Sequence, residues 1–420
     1  MGSRRDFLKT SAAAIGACGI GAWAAKGIGA EEFAGQTLPD WREGEMFLHF
    51  IYSGVGENMF YVFPDGTTML LDTADRLSKQ EDQFPILPNK SRPVSEWIAR
   101  YIAAVKPQDS GRSIDYMMLS HYHADHCGSG KYPPVKADGR GDYVLSGLAN
   151  MGEFFDFGAI YDRGDPKQPK FELCPTHKNY TKFVEWKVSQ GISTHPEFAV
   201  GALDQIHLTK KRESYPDFHI RNLAGNIVVW SGKEGVNDDL RLLIPEATVN
   251  ENALSLAILI SYGPFKYFTG GDISDGYKDP AGGFANVEGR VGTAAGEVDV
   301  CKTNHHTYKD AMRKEFTSAV RARFYITNVW DYYHLCDNTM VNMTKGRSVD
   351  ETTVCPTWVS PKRLAELADC PWHEYLQPAY GHVVVRVVDG GQRYFVYHLD
   401  ATDERRRIKR VLGPFESKGK

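Results

Sequence analysis

Between residues 120 and 126 the chain reads Ser120-His121-Tyr122-His123-Ala124-Asp125-His126, three imidazoles and a carboxylate within six consecutive positions. In an extended or turning backbone His121 and His123 point to one side, while Asp125 and His126 turn towards a second point close by. The pattern offers two nitrogen ligands to one metal ion, and an oxygen and a nitrogen to another, which are donor types that zinc accepts. Core packing does not account for four such residues, because buried polar groups without partners are costly. The bland alternative is a surface histidine cluster without function.

The elements that must position this run can be read around it. Residues 114–119 form a short apolar strand leading straight into the histidines, and residues 46–62 and 67–72 read as a hairpin around Pro64-Asp65-Gly66. Pro93 opens a helical pattern with Val94, Trp97, Ile98, Tyr101, Ile102 and Val105 on one face. From about 130 to 218 the periodicity fades into mixed aromatics, Pro, Gly and Lys, and an irregular insertion is expected. It contains Tyr161-Asp162-Arg163-Gly164-Asp165, either a pocket wall or surface elaboration. Strands are expected at 219–230, 240–244, 253–262, 265–269, 298–303, 383–388 and 393–399, with helices at 310–320 and 361–368. No repeat is evident. One catalytic domain over 45–400 is expected, followed by a basic tail over 401–420 that reads as a solvated end.

His-x-His-x-Asp-His after a strand resembles the metallo-β-lactamase superfamily, and further motifs follow in that family's order. The resemblance implies an α+β fold, an αββα sandwich of two sheets between helices, here with an insertion and a C-terminal extension. Leu70-Leu71-Asp72-Thr73 matches the early Asp at a strand end, whose implied role is to orient the histidine loop. Phe268-Thr269-Gly270-Gly271-Asp272 matches the Asp that bridges two metals. Asn304-His305-His306 matches the last histidine motif, with His306 the favoured ligand and His305 beside it as an orienting or substrate-contacting group. The implied ligands are therefore His121, His123, Asp125, His126, Asp272 and His306, holding one or two zinc ions or other divalent metals. Asp125 and Asp272 would orient the nucleophile and shuttle a proton.

One position departs from the pattern. The family's third histidine for the first metal falls on Asn252, in Asn252-Ala253-Leu254-Ser255. That run, with Tyr262-Gly263, Thr269-Gly270-Gly271-Asp272 and the His305-His306 pair, is similar to the hydrolase domain of competence-type DNA-uptake proteins and its stand-alone relatives. The departure leaves the first position short of a ligand, so at least one tight metal is expected, with a second that is weaker or substrate-assisted. Asn252, Ser255 and His382, the last in Gly381-His382 before a strand, are further candidates to orient ligands or touch substrate.

The composition is that of a globular protein: 420 residues, 42% hydrophobic, with 49 Lys+Arg against 53 Asp+Glu and a formal net charge of −4. That balance gives no reason to expect a nucleic-acid partner. Arg4-Arg5, an Ala/Gly-rich apolar stretch over 12–25 and the small-residue exit Gly27-Ile28-Gly29-Ala30 describe a twin-arginine export signal over residues 1–30. An ordinary amphipathic helix is the alternative. The stretch is too short and glycine-rich for a stable membrane span. Cleavage after Ala30 fits better than lipoprotein anchoring at Cys18, because apolar sequence continues past that cysteine. The expected partners are the export machinery and a small-molecule or ester-type substrate, and the expected location is periplasmic or secreted. Six further cysteines include Cys336, Cys355 and Cys370, close enough to clip a loop, with mostly buried free thiols as the equal alternative, and no CxxC pair is present. The leading expectation is an exported zinc-dependent hydrolase of phosphomonoesters or phosphodiesters. The alternatives are a lactone or carboxylic-ester hydrolase of the same fold and a non-catalytic binding scaffold.

Overall fold

A computed structural model describes residues 33–75, 80–129, 137, 141–164, 175–243, 250–274 and 286–419. Residues 1–30, where an export signal is expected, and Cys18, Cys174 and Asp165 lie outside them. Two eight-stranded mixed sheets carry the fold. The first contains β1 (Met46–Phe50), β2 (Asn58–Val62), β3 (Thr68–Thr73), β4 (Ser113–Met118), β5 (Asp156–Tyr161), β14 (Gly381–Val388), β15 (Arg393–Asp400) and β16 (Ile408–Glu416), in the order β16-β15-β14-β1-β2-β3-β4-β5. The second contains β6 (Phe218–Gly225), β7 (Val228–Lys233), β8 (Val236–Asp239), β9 (Ala257–Tyr262), β10 (Phe265–Thr269), β11 (Val300–Lys302), β12 (Phe324–Thr327) and β13 (Thr353–Pro356), in the order β13-β12-β11-β10-β9-β6-β7-β8.

Side-chain alternation stacks these sheets into four layers. Met46, Leu48 and Phe50 of β1 and Met59 and Tyr61 of β2 face Ile258, Ile260 and Tyr267 of the second sheet in one buried cluster. The Tyr61 and Tyr267 hydroxyls meet at 2.8 Å across that layer. The opposite face of the first sheet packs on α1 (Val94–Val105) through Val94, Ile98, Ile102 and Val105. Two single-turn helices, α2 (Ala124–Cys127) and α3 (Leu148–Met151), follow β4, the first of them within the histidine loop. The opposite face of the second sheet packs on α5 (Val287–Ala295), α6 (Lys314–Val320) and α7 (Asp337–Thr344) through Val291, Phe316 and Met340. This is the αββα sandwich anticipated from the motifs. Strands buried on both faces read as continuous apolar runs rather than alternating ones, as β1, β2 and β3 do.

Several expected boundaries shift for local reasons. The run 46–62 breaks at residues 51–57, where Gly56 at φ 47° lies so close to the histidine loop that a Cβ there would sit 2.3 Å from the Asp125 carbonyl oxygen. Glu57 N donates to that same carbonyl at 2.8 Å. The expected strand at 240–244 is a 3-10 turn over Leu240–Leu243, because Asp239 accepts the Arg241 backbone N–H and ends β8. The expected helix at 310–320 begins only at Lys314, since Met312 is left-handed and its N–H donates to Glu288. Strands β8, β12 and β13 and helices α5 and α7 were not anticipated.

Two larger expectations need correction. The segment 130–218 is not wholly irregular: β5 joins the first sheet in parallel with β4, and α4 (Pro175–Ser189) buries Tyr180, Phe183 and Val184 in the outer core. Lysines and glycines around those positions hide the pattern, and Lys187 itself is buried with Nζ donating to the Gly152 carbonyl. The basic tail is not a solvated end either. Residues 408–416 are β16, paired antiparallel with β15, and Ile408 and Val411 are buried. The five described cysteines are free, so of the two readings the free thiols hold and no clip joins Cys336, Cys355 and Cys370. Among the described residues no helix is long and apolar enough to cross a membrane.

Because Ile408 is 2% exposed, Ile408→Ala should lower unfolding free energy by about 2–4 kcal/mol. Urea titration checks this; a loss below about 0.5 kcal/mol would mean the segment behaves as a tail.

Candidate metal centre

The chemistry-bearing residues gather where the parallel strands end. Asp72 lies near the end of β3, the histidine loop follows β4, Asp272 follows β10, and His305 and His306 follow β11. Open sheets built from parallel strands place their sites at that edge. The tight approach there depends on Gly271 at φ 53°, where a Cβ would lie 2.6 Å from that of Ser120.

Asp72 is fully buried. Its carboxylate accepts from Ser120 N (2.7 Å) and Ser120 Oγ (2.7 Å), and Oδ2 lies 2.8 Å from His126 Nδ1. That contact fixes the His126 ring and turns Nε2 inward, the wiring found around metal-binding histidines. His306 is fixed in the same way, with Nδ1 donating to the Asn328 carbonyl at 2.9 Å. Asp272, 1% exposed, sits among the rings. Its Oδ2 is 3.1 Å from His126 Nε2, 3.5 Å from His306 Nε2, 3.9 Å from His305 Nε2 and 4.0 Å from His121 Nε2. Its backbone N–H donates to Ser255 Oγ at 3.2 Å. Asp125 Oδ2 lies 3.5 Å from His306 Nε2 and 3.8 Å from His126 Nε2. His123 Nδ1 lies 3.1 Å from His121 Nε2, and Asn252 Nδ2 lies 3.2 Å from His305 Nε2.

Ten of the eleven sequence-derived candidates therefore converge, and His382 does not. His382 accepts the Tyr52 backbone N–H at 3.1 Å and packs against the Tyr101 ring, under α1. Burial pushes its pKa down to about 3, so it is a neutral core histidine.

Three residues join the centre without having been singled out. Glu57, His126, Asp272 and His306 present ligand atoms that all lie within 4.8 Å of one another. Lys302, fully buried, reaches Glu57 Oε2 at 2.7 Å, the Gly271 carbonyl at 2.6 Å and Asp272 Oδ1 at 3.7 Å. Burial opposes its charge, but Glu57 and Asp272 hold it protonated. His334 stacks on His306 with centroids 4.9 Å apart and planes 10° apart, and its Nδ1 has no partner. Burial and the nearby imidazoles keep its pKa well below the usual value. Glu57, just before β2, is the one acid in the run 46–62, and Lys302, within β11, the one cation in 298–303, so a lone charge in or beside an apolar strand was the available signal. His334 carried none.

The donors suit a divalent metal. His126 Nε2, His306 Nε2, Asp272 Oδ1 and Glu57 Oε1 are buried without a hydrogen-bond partner, an arrangement that costs several kcal/mol unless a cation satisfies it. Without one, burial opposes charge on His126 while Asp272 and Asp72 push its pKa well up. Burial likewise opposes charge on Asp272, yet the rings of His126, His306 and His305 pull its pKa well down. Buried carboxylates on Glu57, Asp72 and Asp272 face a single lysine, so a cation completes the balance. The ligand types are imidazole and carboxylate, which zinc, manganese and iron all accept.

Lys302→Met should cost about 3–5 kcal/mol in urea unfolding, because it strands Glu57 in the core. Adding Glu57→Gln should recover most of that loss. No recovery would show that Lys302 is not held by this pair.

No family model matches the sequence, and no curated protein matches it. Among solved structures, a mutant of CmlA beta-hydroxylase is similar at 10% identity and a TM-score of 0.36, over 83% of this chain and 55% of that one. Unliganded yeast PDE1 is similar at 10% identity and a TM-score of 0.35, over 81% of this chain and 99% of that one. The chain thus spans about half the length of the first of these. The four-layer fold stands on this chain's own sheet order and cores.

Proposed function

We propose that the chain is an exported, metal-dependent hydrolase acting on phosphomonoesters or phosphodiesters. The observation that carries this reading is Asp272 Oδ2, buried with four imidazole nitrogens within 4.0 Å. His126, His306, Asp125 and Asp272 would hold an inner cation, with Glu57 beside it, and His121, His123 and Asp272 an outer one. When bound, a divalent cation supplies Lewis acidity, bringing the pKa of a coordinated water towards neutrality and offsetting charge on a reacting oxygen.

The chain's own groups supply the rest. Asp125, whose side chain is 14% exposed against 1% for Asp272, is the carboxylate open to entering water and takes its proton. Asp72 and the Asn328 carbonyl keep the His126 and His306 rings in one tautomer through the cycle. The neutral His334 ring closes the wall behind His306. The preference for phosphoesters rests on the likeness of the Asn252-to-His306 run to competence-type hydrolases, and export rests on residues 1–30.

Assay of the metal-loaded mature protein on bis(p-nitrophenyl) phosphate, p-nitrophenyl phosphate and a γ-lactone separates the readings. Phosphoester turnover is expected, lost on chelation, restored by metal, and lowered about a thousandfold or more in Asp272→Asn. Turnover of the lactone alone would move the substrate class to carboxylic esters. Metal-loaded protein inert towards all three would leave a binding scaffold.

A further inference from the structure

The substitution at Asn252 removes the third imidazole that the superfamily gives its first metal. Asn252 is 3% exposed, its Oδ1 has no hydrogen-bond partner, and its Nδ2 points at His305 Nε2 from 3.2 Å. His305 thus presents its distal nitrogen to the place the missing ring would fill.

Three further observations single out His305. First, its Nδ1 lies 2.6 Å from Asp310 Oδ1. That bond puts the proton on Nδ1 and leaves Nε2 as the ring's acceptor, turned towards the Asn252 amide, the carboxylate–histidine wiring of metal ligands. Second, His305 Nε2 is 3.9 Å from Asp272 Oδ2, matching the 4.0 Å of His121 Nε2, so both rings flank the same carboxylate oxygen. Third, the backbone is bent to allow it. His305, His306 and Thr307 have φ of 43°, 48° and 64°, three successive left-handed non-glycine residues. Each such residue costs roughly 1–2 kcal/mol, and the result is that two consecutive histidines both turn towards Asp272. His306 is 1% exposed and His305 20%, so the pair spans the inner and outer halves of the centre.

The opposing walls are held by a buried clamp. Arg163 makes a two-pronged contact with Glu251 (2.8 and 2.9 Å), and Glu251 Oε1 also accepts the Tyr122 N–H at 2.9 Å. Tyr122 lies between His121 and His123, and Glu251 precedes Asn252. The histidine loop and the asparagine loop are therefore fixed to each other, and the asparagine loop reaches His305 through Asn252 Nδ2.

We propose that His305 is the third imidazole ligand of the outer metal position, completing it with His121, His123 and Asp272, while His306 serves the inner position. Asp310 is then a positioning residue for that ligand. The assignment rests on the metal-centre reading and replaces the expectation that the outer position keeps only two histidines.

Cobalt(II) titration of the apo full-length chain, followed by visible absorption and by bound metal per chain, tests it. Wild type should take up two ions. His305→Gln should retain one with its spectrum unchanged and lose the other. Asp310→Asn should keep both but weaken the outer one about 10–100-fold. Asn252→His in the His305→Gln background, which returns a ring to the family's position, should restore the second ion. Two ions of unchanged affinity in His305→Gln, or loss of both ions from a variant with a wild-type circular dichroism spectrum, would overturn the assignment. So would a wild type binding one ion whose spectrum and affinity His305→Gln leaves unaltered. A wild type that binds no cobalt would instead remove the metal-centre reading itself.

Discussion

Asp272 is the constraint on which the rest of this structure depends. A carboxylate with 1% exposure is stable only where something repays its lost hydration. Here the surroundings are four imidazoles, one lysine and two further buried acids, Glu57 and Asp72. Lys302 answers one of the negative charges, and the inward-facing ring nitrogens need their lone pairs satisfied. A divalent cation does both at once. Positioning such a group of side chains is what the ends of β3, β4, β10 and β11 accomplish.

The centre is also the seam of the sandwich. Asp72, the histidine loop and Glu57 come from the first sheet, and Asp272, Lys302, His305 and His306 from the second. Bonds cross directly between the halves: Leu256 N donates to the Ser120 carbonyl at 2.9 Å, and Lys302 bridges to Glu57 at 2.7 Å. Gly271 lets the two edges approach closely enough for one carboxylate to touch rings from both. Stability and site are therefore coupled, because the apolar inner layer brings together charges that only a correctly assembled pair of sheets can neutralise.

Much of this was legible in the sequence, and the reason is chemical. Histidines and aspartates placed directly after apolar strands stand out, because their spacing serves no packing purpose, and the motif order then implied the layers. What escaped notice depends on distant partners. Glu57 and Lys302 look like ordinary charges until the two sheets are stacked and bring them together. His334 carries meaning only through its stacking on His306. His382, attractive as a lone histidine before a strand, is a neutral core residue because α1 covers it. Residues 408–416 read as a solvated end because charge dominates their surroundings, while the pairing with β15 that orders them is invisible locally. The left-handed turn at His305–Thr307 has no glycine to announce it.

The central claim is that this buried cluster holds metal. Inductively coupled plasma mass spectrometry of the dialysed protein, with Asp272→Asn alongside, addresses it most directly. The account predicts one or two equivalents of zinc, manganese or iron per chain in the wild type and a marked loss in the variant. A wild type free of metal that takes up none on reconstitution, or a variant that binds as much as the wild type, would contradict it.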